Sequence, residues 1–166
     1  MNLSPVFLMQ FKNSIERILH VKGNYNGGVL EMAVVIDENL EREQLQEILP
    51  QLLRTLKMHS EVFRNVRLNV VNWKSDEDIS EKAVPMAVAG MASYYSDYEK
   101  HSAGKDFLKL VQYLKLFQAR SKIIVLLTDG GYIGSMENAK SAMQPFLDKK
   151  MMQIIVTDEQ LQVIYR

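Results

Sequence analysis

The chain is expected to form an α/β fold, a doubly wound and mostly parallel sheet with helices on both faces. Three observations carry that expectation. Ile123 to Leu127 is an unbroken aliphatic run released through Thr128-Asp129-Gly130-Gly131, and Met32 to Ile36 is a second such run ending on Asp37. Continuous apolar runs of this length are the mark of strands buried on both faces. Segments with apolar residues at helical spacing alternate with the runs, as they do in βαβ units. At 166 residues, 47% of them hydrophobic, the chain has the material for one core and no more.

In chain order, Ser4-Pro5 supplies a capping hydroxyl and a proline for the first helical position, and Phe7, Phe11, Ile15 and Ile18 or Leu19 follow at helical spacing. Gly23 to Gly28 is a turn-rich break. Residues 1–28 are therefore assigned to an N-terminal helix and loop, and 29–166 to a single α/β domain. Val29 to Ile36 is the first strand, placed centrally because its apolar part is continuous. Leu45, Ile48, Leu49, Leu52, Leu53 and Leu56 then form one helical stripe. Asn39 is a candidate cap for that helix, and Glu38, Glu41 and Glu43 lie near its positive end. Pro50 inside the stripe is expected to kink or divide the helix.

Val66, Leu68 and Val70 alternate with Arg67, Asn69 and Val71, which predicts a half-exposed strand ending near Trp73. Lys74 to Asp78 is a charged connection without the glycine that a calcium loop places at its sharp turn. Val84, Val88, Met91, Tyr95 and Tyr98 predict a helix with its tyrosines at the edge of the core. Phe107, Leu110, Val111, Leu114 and Phe117 predict another, leading through Ala119-Arg120-Ser121 into the strand at Ile123. Ser135 caps a further expected helix carrying Met136, Ala139, Met143, Phe146 and Leu147. Met151 to Val156 is a last buried strand, and Leu161 to Tyr165 a short one after a turn.

Composition excludes several classes of function. Lys+Arg 20 against Asp+Glu 20 leaves no net charge to capture nucleic acid or an anionic membrane. Without cysteine there is no disulfide framework, thiolate chemistry or cysteine-based zinc site. The apolar patch Val6 to Met9 is cut short by Lys12, Glu16 and Arg17, no stretch reaches the length of a membrane span, and a cytoplasmic protein is expected. His20, His59 and His101 have no mutual spacing that proposes a metal site or a catalytic base. Gly130 to Ser135 has the spacing of neither a dinucleotide fingerprint nor a Walker loop, so turn chemistry accounts for it.

Candidate site residues come from strand ends. Asp37 follows the first strand, Lys105 lies in the loop that starts a helix, and Asp129 follows the central strand. If those two strands are neighbours where the strand order reverses, all three meet in the crevice where α/β sheets bind ligands. Taken singly, Asp37 is a turn or capping carboxylate and Asp129-Gly130 an ordinary turn pair. Lys105 has two readings at this point, a solvated lysine in a helix's first turn or an ammonium held between the acids.

These residues resemble those of a von Willebrand factor A domain. The resemblance runs over about residues 29 to 157 and rests on three stretches, Val34-Val35-Ile36-Asp37-Glu38-Asn39-Leu40-Glu41, Ala103-Gly104-Lys105-Asp106-Phe107 and Leu126-Leu127-Thr128-Asp129-Gly130. In that family they read Asp-x-Ser-x-Ser, Gly-Gly-Thr-Asp-Phe and strand-Thr-Asp-Gly, and together form a metal-ion-dependent adhesion site for magnesium or manganese. Asn39 and Glu41 replace both serines here, and Lys105 stands where the threonine ligand should be. The resemblance thus implies a degenerate site, with Asp37, Asn39, Glu41, Lys105 and Asp129 as a pseudo-metal, partner-binding set and no cofactor.

The alternative is a site that keeps magnesium or manganese. Asp37, Asn39, Asp129 and Ser102 would then supply its ligands, Ser102 if the alignment of Lys105 slips by three residues, and Glu41 and Asp106 offer further oxygens. The resemblance implies a non-catalytic protein–protein interaction domain, shortened at its C-terminus. Its expected partner is an AAA-type ATPase or a neighbouring subunit, since intracellular bacterial members of the family often work beside such ATPases. The rival class is an enzyme of the haloacid-dehalogenase type with Asp37 as nucleophile, Lys105 as charge stabiliser and Asp129 as magnesium ligand. Its motif calls for an aspartate where Asn39 stands and another near Tyr132 and Ile133, so a non-enzyme is expected.

Overall fold

The computed structural model describes residues 5–19, 29–58, 65–84, 98–121, 123–134, 151–156 and 161–165. Its elements run α1 (Pro5–Leu19), β1 (Val29–Asp37), α2 (Arg42–Met58), β2 (Asn65–Trp73), β3 (Ile79–Val84), α3 (Phe107–Phe117), β4 (Ile123–Thr128), β5 (Met151–Val156) and β6 (Leu161–Tyr165). The helices expected around Val88 to Tyr95 and Met136 to Leu147 lie outside the described residues.

Six strands form one mixed, mostly parallel sheet in the order β3-β2-β1-β4-β5-β6. β1 pairs in parallel with β2 on one side and β4 on the other, and β4 pairs in parallel with β5. The edge strands β3 and β6 are antiparallel to their neighbours. The chain therefore reverses its direction of travel across the sheet between β1 and β4, which leaves a crevice above their carboxyl ends.

Alternation along the strands sorts the core into two faces. Ala33, Val35, Val71, Trp73, Ile124 and Leu126 pack with Phe107, Leu110, Val111 and Leu114 of α3, so α3 covers one face. Met32, Val34, Ile36, Val70, Ile123, Val125 and Leu127 point the other way and are equally buried. A right-handed β1–α2–β2 crossover, the rule for parallel sheets, would turn α2 toward this second face. α2 offers the matching stripe, with Leu45, Ile48, Leu49 and Leu52 fully buried. Burial on both sides of Pro50 holds α2 together as one undivided helix. α1 lies against α2 and buries Phe11 and Ile15 completely.

The expectation of a helix from Val84 to Tyr98 is corrected at both ends. Val84 belongs to β3, and Tyr98 sits in an irregular segment with its ring buried and its hydroxyl donating to Leu40 O at 2.8 Å. β3 escaped the sequence pattern because Ser80 to Ala83 are all exposed, so no buried face impresses a period on it. The charged connection before it is a tight hairpin loop in which Lys74 and Ser75 N–H both donate to Asp78 O, at 3.1 and 3.2 Å.

Candidate functional site

The β1–β4 register decides what stands beside Asp37. Ile36 pairs with Leu127, so the next position brings Asp37 beside Thr128, one residue short of Asp129. Thr128 Oγ1 donates to Asp37 Oδ2 at 2.6 Å, and both residues are fully buried. The hydroxyl is also an acceptor, taking the Gly130 N–H at 3.0 Å and so bending the chain as it leaves the sheet.

The other carboxylate oxygen gathers the turn and the cation. Asn39 N–H donates to Asp37 Oδ1 at 3.0 Å, and Leu40 N–H donates to Asp37 O at 3.0 Å, so the strand ends in a carboxylate-closed turn. Lys105 Nζ lies 3.1 Å from Asp37 Oδ1, and both side chains have no exposure at all. The ammonium also donates to Asn39 Oδ1 at 2.7 Å and reaches Ala103 O at 3.5 Å. Asn39 Oδ1 takes a second hydrogen bond, from Ala103 N–H at 3.2 Å. The lysine thus crosses from the loop before α3 to the end of β1 and finds an acceptor for each of its three donors.

Backbone pairing fixes that loop from its far side. Ile133 N–H donates to Lys105 O at 2.7 Å and Phe107 N–H to Ile133 O at 2.9 Å, tying the segment after β4 to the start of α3. Asp106 caps α3 by accepting from Leu108 N–H at 3.0 Å, while its own N–H is taken by Asp76 Oδ1 at 2.7 Å. Tyr132 stacks on Phe107, with ring centroids 5.1 Å apart, and leans on Trp73 at 5.7 Å. The Nε1 of Trp73 is buried without a partner among the described residues.

Compared with protein-family models, curated proteins and solved structures, the chain matches none.

Of the residues singled out from the sequence, Asp37, Asn39 and Lys105 come together. Asp129 stays outside: it is exposed and its Oδ1 turns back to accept from Gly131 N–H at 2.9 Å. Glu41 is also outside, paired with Lys100 Nζ at 2.8 Å, and Ser102 is exposed. That Glu41 hydrogen bond and charge, with a smaller contribution from Asp129, raise the Lys100 pKa above the ordinary lysine value. Asn39 does not cap α2. Gln44 Oε1 does so by reaching back to the Glu41 N–H at 2.9 Å, in the manner of a capping box.

The residues the sequence argument missed are Thr128 and Ala103. Thr128 belongs to the Thr-Asp-Gly stretch, but only a strand register distinguishes it from its acidic neighbour. Ala103 acts through its backbone, for which side-chain type gives no signal.

The donor set does not suit a divalent cation. Such an ion needs several free oxygens, and here Asp37 Oδ1 takes the Asn39 N–H and the Lys105 ammonium, Asp37 Oδ2 the Thr128 hydroxyl, and Asn39 Oδ1 the ammonium and the Ala103 N–H. A fixed ammonium stands among them, adding positive charge where a metal would bring its own. Both oxygens of Asp37 are engaged in these contacts.

Proposed function

We propose that this chain is a non-catalytic interaction domain, similar to von Willebrand factor A domains, in which a lysine of the chain occupies the place of the metal ion. The observation that carries this reading is the Lys105 ammonium, without exposure, 3.1 Å from the strand-end carboxylate of Asp37. The sheet order, with β1 and β4 adjacent and running parallel, supports it by bringing the three resembling stretches to one edge. In this reading the fold is doubly wound and the pair Asp37–Lys105 makes the top of the sheet permanent.

Because the Lys105 side chain is wholly buried, a partner's acid does not reach it. Contact with a partner protein falls instead to the exposed rim, where Asp129 and Ile133 project. The partner class suggested by the resemblance is an AAA-type ATPase or a neighbouring subunit.

The test is a thermal melt of metal-stripped protein with and without millimolar magnesium, manganese or calcium, run in parallel on Lys105→Thr. The wild type is expected not to respond. A site filled at a hundred times its dissociation constant adds about 2.7 kcal/mol to the folded state. A shift of that size in the wild type overturns the reading, and a shift recovered only in the variant supports the lysine as the cation's stand-in.

A further inference from the structure

Beside the buried pair, over the ends of β1 and β2, lies an open cleft of about 380 Å³. Its volume is within the range of small-ligand sites, roughly 300 to 1,000 Å³. Glu38, Asn72 and Lys74 line it together with the segment from Tyr98 to His101. That segment is held by hydrogen bonds within the chain. His101 N–H donates to Glu38 O at 2.7 Å, Arg42 Nε donates to Tyr98 O at 2.6 Å, and the Tyr98 hydroxyl is anchored on Leu40 O.

The charges around the cleft divide into those engaged and those available. Lys100 is held by Glu41 at 2.8 Å, and the Glu38 carboxylate accepts from Asn72 Nδ2 at 3.3 Å. Among the described residues, the side chains of Lys74, Glu99 and His101 have no ion-pair or hydrogen-bond partner. A simple anion would satisfy Lys74 and be repelled by Glu99, and a simple cation would meet the reverse. A ligand that carries both charges satisfies both.

We infer that this cleft binds a free α-amino acid, its carboxylate directed to Lys74 and His101 and its ammonium to Glu99. The polar groups of Glu38 and Asn72 in the lining suit a small polar side chain. None of the atoms that hold Lys105 takes part, so the inference stands apart from the reading of that pair.

The experiment is a titration of the 15N-labelled full chain, followed through the backbone amides of residues 72–74 and 98–101. The probes are L-serine, L-asparagine and L-glutamine, each also as its N-acetyl and its carboxamide form. Saturable shifts with at least one free amino acid, lost when either end is blocked, are the expected result. Lys74→Gln and Glu99→Gln should each weaken that binding about tenfold or more, the equivalent of one lost charged contact, with unchanged melting temperature. No saturable shift for any of the three amino acids up to tens of millimolar overturns the inference. So does N-acetyl binding equal to that of the free acid, which would make the ligand a carboxylate alone.

Discussion

Lys105→Met keeps most of the side chain's volume and removes only its charge. At the observed 3.1 Å, the attraction between Lys105 and Asp37 amounts to about 5 kcal/mol at an effective dielectric constant of roughly 20. Much of that offsets the cost of taking both ions out of water, so the pair's net worth is smaller. Removing one partner is different, because the desolvated carboxylate remains: losses of about 3–5 kcal/mol are usual. Asp37 keeps the Thr128 hydroxyl and the Asn39 N–H in the variant, which places the expected loss near the lower end, about 3 kcal/mol. For a chain of this length that is a fall in melting temperature of roughly 6–12 °C.

Urea denaturation read by far-ultraviolet circular dichroism, and by the fluorescence of the single, buried Trp73, measures the loss directly. The double variant Asp37→Asn, Lys105→Met should lose less than the two single variants together, with a coupling energy of about 1–3 kcal/mol. A Lys105→Met cost below about 0.5 kcal/mol, the range of ordinary surface changes, would show that the ammonium is not held by a buried acid and would refute the argument.

Thr128→Val removes the hydroxyl that both donates to Asp37 and accepts from Gly130 N–H, so a loss of about 1–3 kcal/mol is expected in the same urea assay. Asp129→Asn should cost no more than about 0.5 kcal/mol, since its carboxylate is exposed; a loss as large as that of Asp37→Asn would place it in the site after all. Glu41 raises the Lys100 pKa, so the pair's contribution is complete below the unfolded lysine value and disappears only as pH rises through the raised folded one. Neutral pH therefore leaves it intact, and a Lys100 titration followed by NMR should move to lower pH in Glu41→Gln, while an unchanged midpoint would rule out the pairing.

What could be read from the sequence follows from how strongly burial writes itself into residue type. β1 and β4 are covered on both faces, so their runs from Met32 to Ile36 and Ile123 to Leu127 stand out, and the acids that end them can be found. Lys105 stands out as a cation where the resembled motif carries a neutral hydroxyl. β3 left no trace, because an edge strand exposed from Ser80 to Ala83 is free to carry polar residues at every position. The choice between Thr128 and Asp129 was also closed to sequence reasoning. It depends on a register between strands whose paired residues lie 91 positions apart in sequence, and a shift by one residue exchanges the side chain that faces the crevice.

The distinction between a tethered cation and a free one sets how many states the top of the sheet has. A bound metal can leave, and loops organised around it then have an alternative arrangement. Lys105 cannot leave, and the chain around it is stitched to the segment after β4 at the start of α3, by Ile133 N–H to Lys105 O and by Phe107 N–H to Ile133 O. Moving the loop after β4 would break those bonds, draw the Asp106 cap away from Asp76, and pull the ammonium off Asp37 in the same motion. Each of these contacts is made as the chain folds, without a ligand. The position of α3 on the sheet is therefore a property of the fold itself, and any recognition by this domain has to use groups that remain exposed once the fold is complete.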